Sequence, residues 1–228
     1  MTAWLSRRLR WVLAVTWVVA GVALAAATVF DVRSLWPEPP TPPEVVRDLT
    51  VRHVPDQQGR RASFRIMLFS DEFRWRLSSY DSIEDSASLP AFTDEMKAVL
   101  NSAREIISIG ASSEEIPSGT SSSGGRAREE WRAARRADRI ALWIRGALTK
   151  PIPVRKLNIG HHLPTTAGGD TSDQRRVVII LVLDQDDEVN VDEALRAAML
   201  SEADRAPILH SLLTNYSLGS GDTFTWVP

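Results

Sequence analysis

The side chains with the most chemistry to offer are arginines. Arg132, Arg135, Arg136 and Arg139 crowd one stretch of chain between Ala127 and Leu148, and a guanidinium takes a carboxylate through two parallel hydrogen bonds. The plain use of such residues is solubility and i,i+4 pairing, which Glu129, Glu130 and Asp138 permit. The run Gly119 to Arg126 has the glycine and serine content of a phosphate loop, but lacks the Lys and following Ser/Thr that begin such a helix, and reads as a flexible loop. His161 and His162 are adjacent, so on a strand they point to opposite faces; with only His53 and His210 besides, no zinc site is expected. Asp184, Asp186, Asp187 and Glu188 lack the glycine of an EF-hand loop and read as a solvated turn. No Gly-x-Ser-x-Gly elbow is present. The absence of cysteine excludes disulfides, thiolate metal sites, a cysteine nucleophile and a lipidated cysteine. A net charge of −2 gives no electrostatic reason to expect nucleic acid. The expectation is a non-enzymatic protein with no metal and no cofactor.

The elements that must position these residues begin with a membrane segment. Trp11 to Phe30 are twenty successive uncharged residues, which as a helix span about 30 Å, the thickness of a bilayer's hydrocarbon core. Arg7, Arg8 and Arg10 precede the run, so residues 1–10 stay cytoplasmic and the chain after Asp31 is translocated. An uncleaved anchor is the preferred reading. A signal peptide cleaved near Ala23–Leu24–Ala25 or Ala25–Ala26–Ala27 is the alternative and leaves the rest of the chain in the same place. Residues 31–48 form a linker whose prolines at 37, 39, 40, 42 and 43 favour an extended polyproline spacer.

From Leu49 onward a folded domain is expected. Leu49 to Val54 and Ala62 to Phe69 read as a hairpin around Asp56–Gly59. Phe73, Trp75 and Leu77 alternate with Arg74 and Arg76 as a half-buried strand does. A helix follows over 89–103, then a strand over Ile106 to Gly110, a polar loop, a long helix over Ala127 to Leu148, and strands over Val154 to Gly160 and Arg175 to Leu183. Two helices, Asp192 to Asp204 and Pro207 to Thr214, with a tail ending Phe224–Thr225–Trp226, make a C-terminal extension over 184–228 that packs on the domain or serves a partner.

Particular residues stand at the joints of this order. Gly110–Ala111–Ser112–Ser113 close the strand before the polar loop. Glu129, Arg132, Ala133, Arg136 and Ala137 punctuate the long helix. Gln174–Arg175–Arg176–Val177–Val178 open the last strand, and Gly160–His161–His162–Leu163–Pro164 end the one before it. The order and these residues resemble the OmpA/MotB C-terminal domain family, which binds peptidoglycan: its G-h-T-D motif, its N-x-x-L-S-x-x-R-A helix pattern, its N-R-R-V-E strand and its G-x-G-x-x-x-P segment, over Trp75 to Leu183. Arg136–Ala137 and Arg175–Arg176–Val177 are the parts retained outright. The resemblance implies an α+β fold, a β-α-β-α-β-β two-layer sandwich over 49–183 with an N-terminal hairpin. With the uncharged run at 11–30, it leads to the expectation of a bacterial inner-membrane protein with a single span and its domain in the periplasm. The implied partners are peptidoglycan, the membrane and an envelope protein. In that family the motif's aspartate and the helix arginine grip a diaminopimelate stem peptide, which makes Ser112, Ser113, Glu129, Arg136, Arg175 and Arg176 the candidate site. Ser113 replaces the aspartate and carries no charge, with Glu114 or Glu115 as the possible substitute. The alternative is a domain that keeps the fold, has lost wall binding and contacts protein.

Overall fold

The computed structural model describes residues 42–70, 73–84, 89–114, 122–164, 171–201, 207–219 and 224–228. The expected span at 11–30, the residues before it and most of the proline linker lie outside the described residues. Among those described, no helix is long and apolar enough to cross a membrane. Thr41–Pro228 form one unit.

β1 (Val45–Pro55) and β2 (Arg61–Phe69) pair antiparallel around a turn held by Asp56. Its carboxylate accepts the N–H groups of Gln58 and Arg60, both at 2.9 Å, and Gly59 takes the left-handed conformation with φ +82°. Then come α1 (Asp94–Asn101), β3 (Glu105–Ser112), α2 (Ser122–Ala147), β4 (Val154–His161), a 3-10 turn (Ser172–Arg175), β5 (Val178–Gln185), α3 (Val191–Ser201), α4 (Pro207–Thr214) and β6 (Thr225–Val227). α1 begins later than the apolar pattern suggests because Thr93 caps it, its hydroxyl accepting the Met96 N–H at 3.2 Å.

The strands form one mixed sheet in the order β1-β2-β5-β3-β4-β6. β3 and β4 are parallel, with α2 as their crossover; the other pairs are antiparallel. Phe73–Leu77 is not a strand of this sheet. β2 already lies along β5 from Ala62 to Leu68, so the edge that such a strand would need is taken. Phe73 and Trp75 are buried all the same, within a small loop tied by the bridges Trp75↔Ile83 and Arg74↔Arg176. The first strand of the β-α-β-α-β-β order is therefore β2.

Helices cover both faces of the sheet. On one, Met67, Phe69, Ile106, Ile179 and Leu181 pack with Leu100 of α1 and with Ile140, Ala141 and Ile144 of α2. On the other, Phe64, Ile66, Leu68, Ile107, Val178, Ile180 and Val182 meet α3, α4 and Phe224. Two layers were expected and three are found. The reason lies in β5: from Val177 to Leu181 every side chain is apolar and buried, the pattern of a strand covered on both sides. The C-terminal extension is thus core. Leu195, Met199, Leu209, Leu212, Leu213 and Phe224 are each at most 5% exposed. At about 1.5–3 kcal/mol for each large apolar side chain, they contribute on the order of 10 kcal/mol, comparable to the whole stability of an ordinary domain.

α2 lies directly on β3. Gly110 makes this possible: a Cβ there would stand 1.9 Å from the Ala133 carbonyl oxygen and 2.7 Å from the Ala137 nitrogen. Ala133 and Ala137 keep the facing helix surface equally low, and Ser108 Oγ donates to the Ala137 carbonyl at 3.0 Å.

Candidate functional site

The close seating of α2 on β3 carries Arg136 to the end of the sheet, where Ala111 and Ser112 finish β3. There the side chain is 1% exposed. Its guanidinium is enclosed by backbone carbonyls. Nε donates to Ser79 O at 2.9 Å and Nη1 to Ala111 O at 2.7 Å; Nη2 faces Arg76 O at 3.4 Å. The Trp75 ring lies 5.5 Å from the guanidinium carbon. Burial, and then the nearby Arg132 guanidinium, push the group down to about 9, so it is still a cation at neutral pH.

Around it the other predicted residues divide. Glu129, two turns earlier and 1% exposed, is ion-paired to Arg132. Ser112 Oγ donates to the Glu129 carbonyl at 3.0 Å, so that hydroxyl ties β3 to α2. Ser113 is buried at 3% exposure just beyond. Arg175 lies beside the same loop, its Nη1 donating to Trp75 O at 2.9 Å and to Glu84 Oε2 at 3.1 Å. Glu84 is held below the ordinary carboxylate range, first by the hydrogen bond from Arg74 and, after opposing desolvation, by the charges of Arg175 and Arg74. Arg176, the next residue, pairs with Asp173 at 2.6 Å and lines a different cleft. The structure therefore brings Ser112, Ser113, Glu129, Arg136 and Arg175 to one end of the sheet and sends Arg176 elsewhere. Glu114 donates its N–H to Gln174 Oε1 at 2.9 Å, and its carboxylate stands 3.8 Å from His162 Nδ1; Glu115 lies outside the described residues.

As built, this cluster braces the domain. Three carbonyls from two remote segments converge on one guanidinium, which is how a buried cation is held without a carboxylate of its own. A ligand carboxylate reaching Arg136 must first displace Arg76–Ser79. What the sequence reasoning missed is this loop: its carbonyls carry no residue-type signal, and only the burial of Trp75 was readable in advance. It also missed a cleft of about 450 Å³ on the opposite sheet face, bordered by Arg47, Arg176, His162 and Tyr216.

One exposed surface remains beside the brace. Trp131 of α2 is 50% exposed, Tyr80 meets it edge-on at 5.3 Å, and the Arg135 guanidinium carbon lies 5.5 Å from its ring centre. The exposed Arg128 and Arg139 extend this strip along the helix.

No protein-family model matches the chain, and no curated protein does. Among solved structures, the OmpA-like domain of FopA1 from Francisella tularensis subsp. tularensis SCHU S4 is similar over 64% of this chain and 98% of that domain, at 10% identity and a TM-score of 0.32. A likeness of that size assigns no family and supports no functional step.

Proposed function

We propose that this protein is a membrane-tethered, non-catalytic subunit of the bacterial envelope whose α/β domain engages a protein partner and does not take the peptidoglycan stem peptide at Arg136. The observation that carries this reading is the enclosure of the Arg136 guanidinium by Ser79, Ala111 and Arg76 carbonyls. The uncharged run from Trp11 to Phe30, with arginines before it and a proline-rich spacer after it, supports the tether. Trp131, Tyr80 and Arg135 support a protein partner, because exposed Trp, Tyr and Arg together are the composition of interface hot spots. The full chain, solubilised in mild detergent, is incubated with purified sacculi and sedimented. The expected result is no retention above a control without sacculi. Saturable retention that a free diaminopimelate-containing stem peptide competes away overturns the proposal.

A further inference from the structure

The register of the sheet sets up a second site, on the face opposite Arg136. Arg47 of β1 stands opposite Leu68 of β2; Leu68 is paired with Val178 of β5, and Val178 with Ile109 of β3. Facing residues in neighbouring strands share a face. The four side chains thus form one row across the sheet, apolar for three positions and ending in a guanidinium. Leu212 of α4 lies over this row and Tyr216 closes one side. Tyr216 is fixed in place, its hydroxyl donating to the Gln174 carbonyl at 3.1 Å and its ring meeting His162 edge-on at 5.0 Å. The half-open cleft between them is the one of about 450 Å³, within the size range of small-molecule sites and with an apolar floor and a few polar groups at the rim.

The charges of the rim decide what fits. The cleft is lined by two cations, Arg47 and Arg176, and by one carboxylate, Asp173, which Arg176 pairs at 2.6 Å. Arg47 is exposed and has no ion-pair partner among the described residues. Among the described residues, the lining therefore carries one positive charge without a paired carboxylate, at the end of an apolar trough. From this we infer that the cleft binds an aliphatic carboxylate, its apolar part on Leu68, Ile109, Val178 and Leu212 and its carboxylate on Arg47. Such a group comes either from a free aliphatic acid or from the carboxyl-terminal residue of a peptide. The site is independent of whether Arg136 binds cell wall, since it uses the other face of the sheet.

The test uses the full chain in nanodiscs of uncharged lipid, titrated by calorimetry with octanoate, with 1-octanol, and with a short peptide ending in leucine as the free acid or as the amide. At least one acid is expected to bind, and its uncharged counterpart about tenfold more weakly or not at all. The acid that binds identifies the source, free or peptide. Arg47→Glu is expected to weaken that binding by about tenfold or more. Ser211→Trp, which fills the cleft from α4, is expected to abolish it. Both positions lie outside the apolar core, so unchanged melting temperatures show that each variant folds. Binding of neither acid, equal binding of acid and uncharged counterpart, or wild-type affinity in Arg47→Glu overturns the inference.

Discussion

If Arg136 braces the fold, its loss is felt as stability before it is felt as binding. Arg136→Ala removes two well-formed hydrogen bonds, to Ser79 O at 2.9 Å and Ala111 O at 2.7 Å, and one long contact to Arg76 O at 3.4 Å. Bonds to a charged donor contribute about 1.5–3 kcal/mol each; the Ala111 carbonyl left behind is buried, while the Arg76 carbonyl keeps the Ser79 N–H at 3.0 Å. Relief of the buried cation's own desolvation offsets part of this, leaving about 3–4 kcal/mol. In a domain of this size each kcal/mol lowers the melting temperature by about 2–4 °C, so the expected drop is about 6–16 °C. The measurement is thermal unfolding of the full chain in detergent at pH 7, with Arg139→Ala as control. Arg139 is exposed on the same helix, and its truncation is expected to stay within about 0.5 kcal/mol of wild type. Arg136→Lys keeps the charge but lacks the fork that reaches two separate carbonyls, so it is expected to recover less than half of the loss. The reasoning is refuted if Arg136→Ala melts with Arg139→Ala and its only deficit is in binding sacculi.

Two further substitutions test how the frame is built. Gly110→Ala puts a methyl group against the α2 backbone at 1.9 Å from Ala133 O; it is expected to cost about 3 kcal/mol or more, seen as loss of folded protein by urea unfolding. Gly146→Ala on the same helix meets nothing within 4 Å and is expected to be neutral or to gain up to about 1 kcal/mol. Asp56 is the pH-sensitive point. Burial raises its pKa, but hydrogen bonds from the Asn190 N–H, the Arg60 side chain and the N–H groups of Arg60 and Gln58 more than offset this, holding it below its ordinary value of 3.8. Because the folded pKa is depressed, its contribution is complete well above pH 3.8 and is lost as pH falls through that value toward the folded one. Asp56→Asn is therefore expected to destabilise at pH 7 and to flatten the acid limb of a stability-against-pH curve, the difference between mutant and wild type shrinking as pH falls below 3.8.

How much of this was legible in the sequence depends on the range over which a signal acts. The run from Arg175 to Leu183 announced a strand without saying that both of its faces are covered, and the 3.6-residue pattern announced α1 and α2. The hairpin was readable from Asp56 and Gly59. Alternation at Phe73, Trp75 and Leu77 reported burial correctly for the first two and wrongly for Leu77, which is 48% exposed; it also reported pairing wrongly, because a period of two says that one side is covered without saying by what. The third layer was half visible. Leu209, Leu212 and Leu213 showed an apolar face, but only the two-sided burial of β5 says that this face belongs to the domain's own core. Arg136 was picked out by the resemblance of the long helix to a family pattern, yet its partners are carbonyls 25, 57 and 60 residues away. A carbonyl is the same in every residue, so no motif marks it. The cleft is harder still, since it exists only through a register that aligns Arg47, Leu68, Val178 and Ile109.

A helix arginine can grip a ligand's carboxylate or its own chain, and here the loop from Phe73 to Glu84 decides between them. For a stem peptide to reach Arg136, the Ser79 and Arg76 carbonyls must leave. They cannot leave alone, because Phe73, Trp75 and Ile83 are at most 4% exposed and anchor both sides of that segment, while Arg175 clamps the Trp75 carbonyl and Glu84 together. Opening the loop exposes those three side chains at about 1.5–3 kcal/mol each, roughly 5–9 kcal/mol before any new bond forms. At 1.4 kcal/mol for each factor of ten, a ligand that finds this site closed loses at least about three orders of magnitude in affinity relative to one that finds it open. A charge-assisted bidentate contact offsets part of that deficit and falls short of all of it. Arg136 is thus better explained by the loop it holds than by a ligand carboxylate.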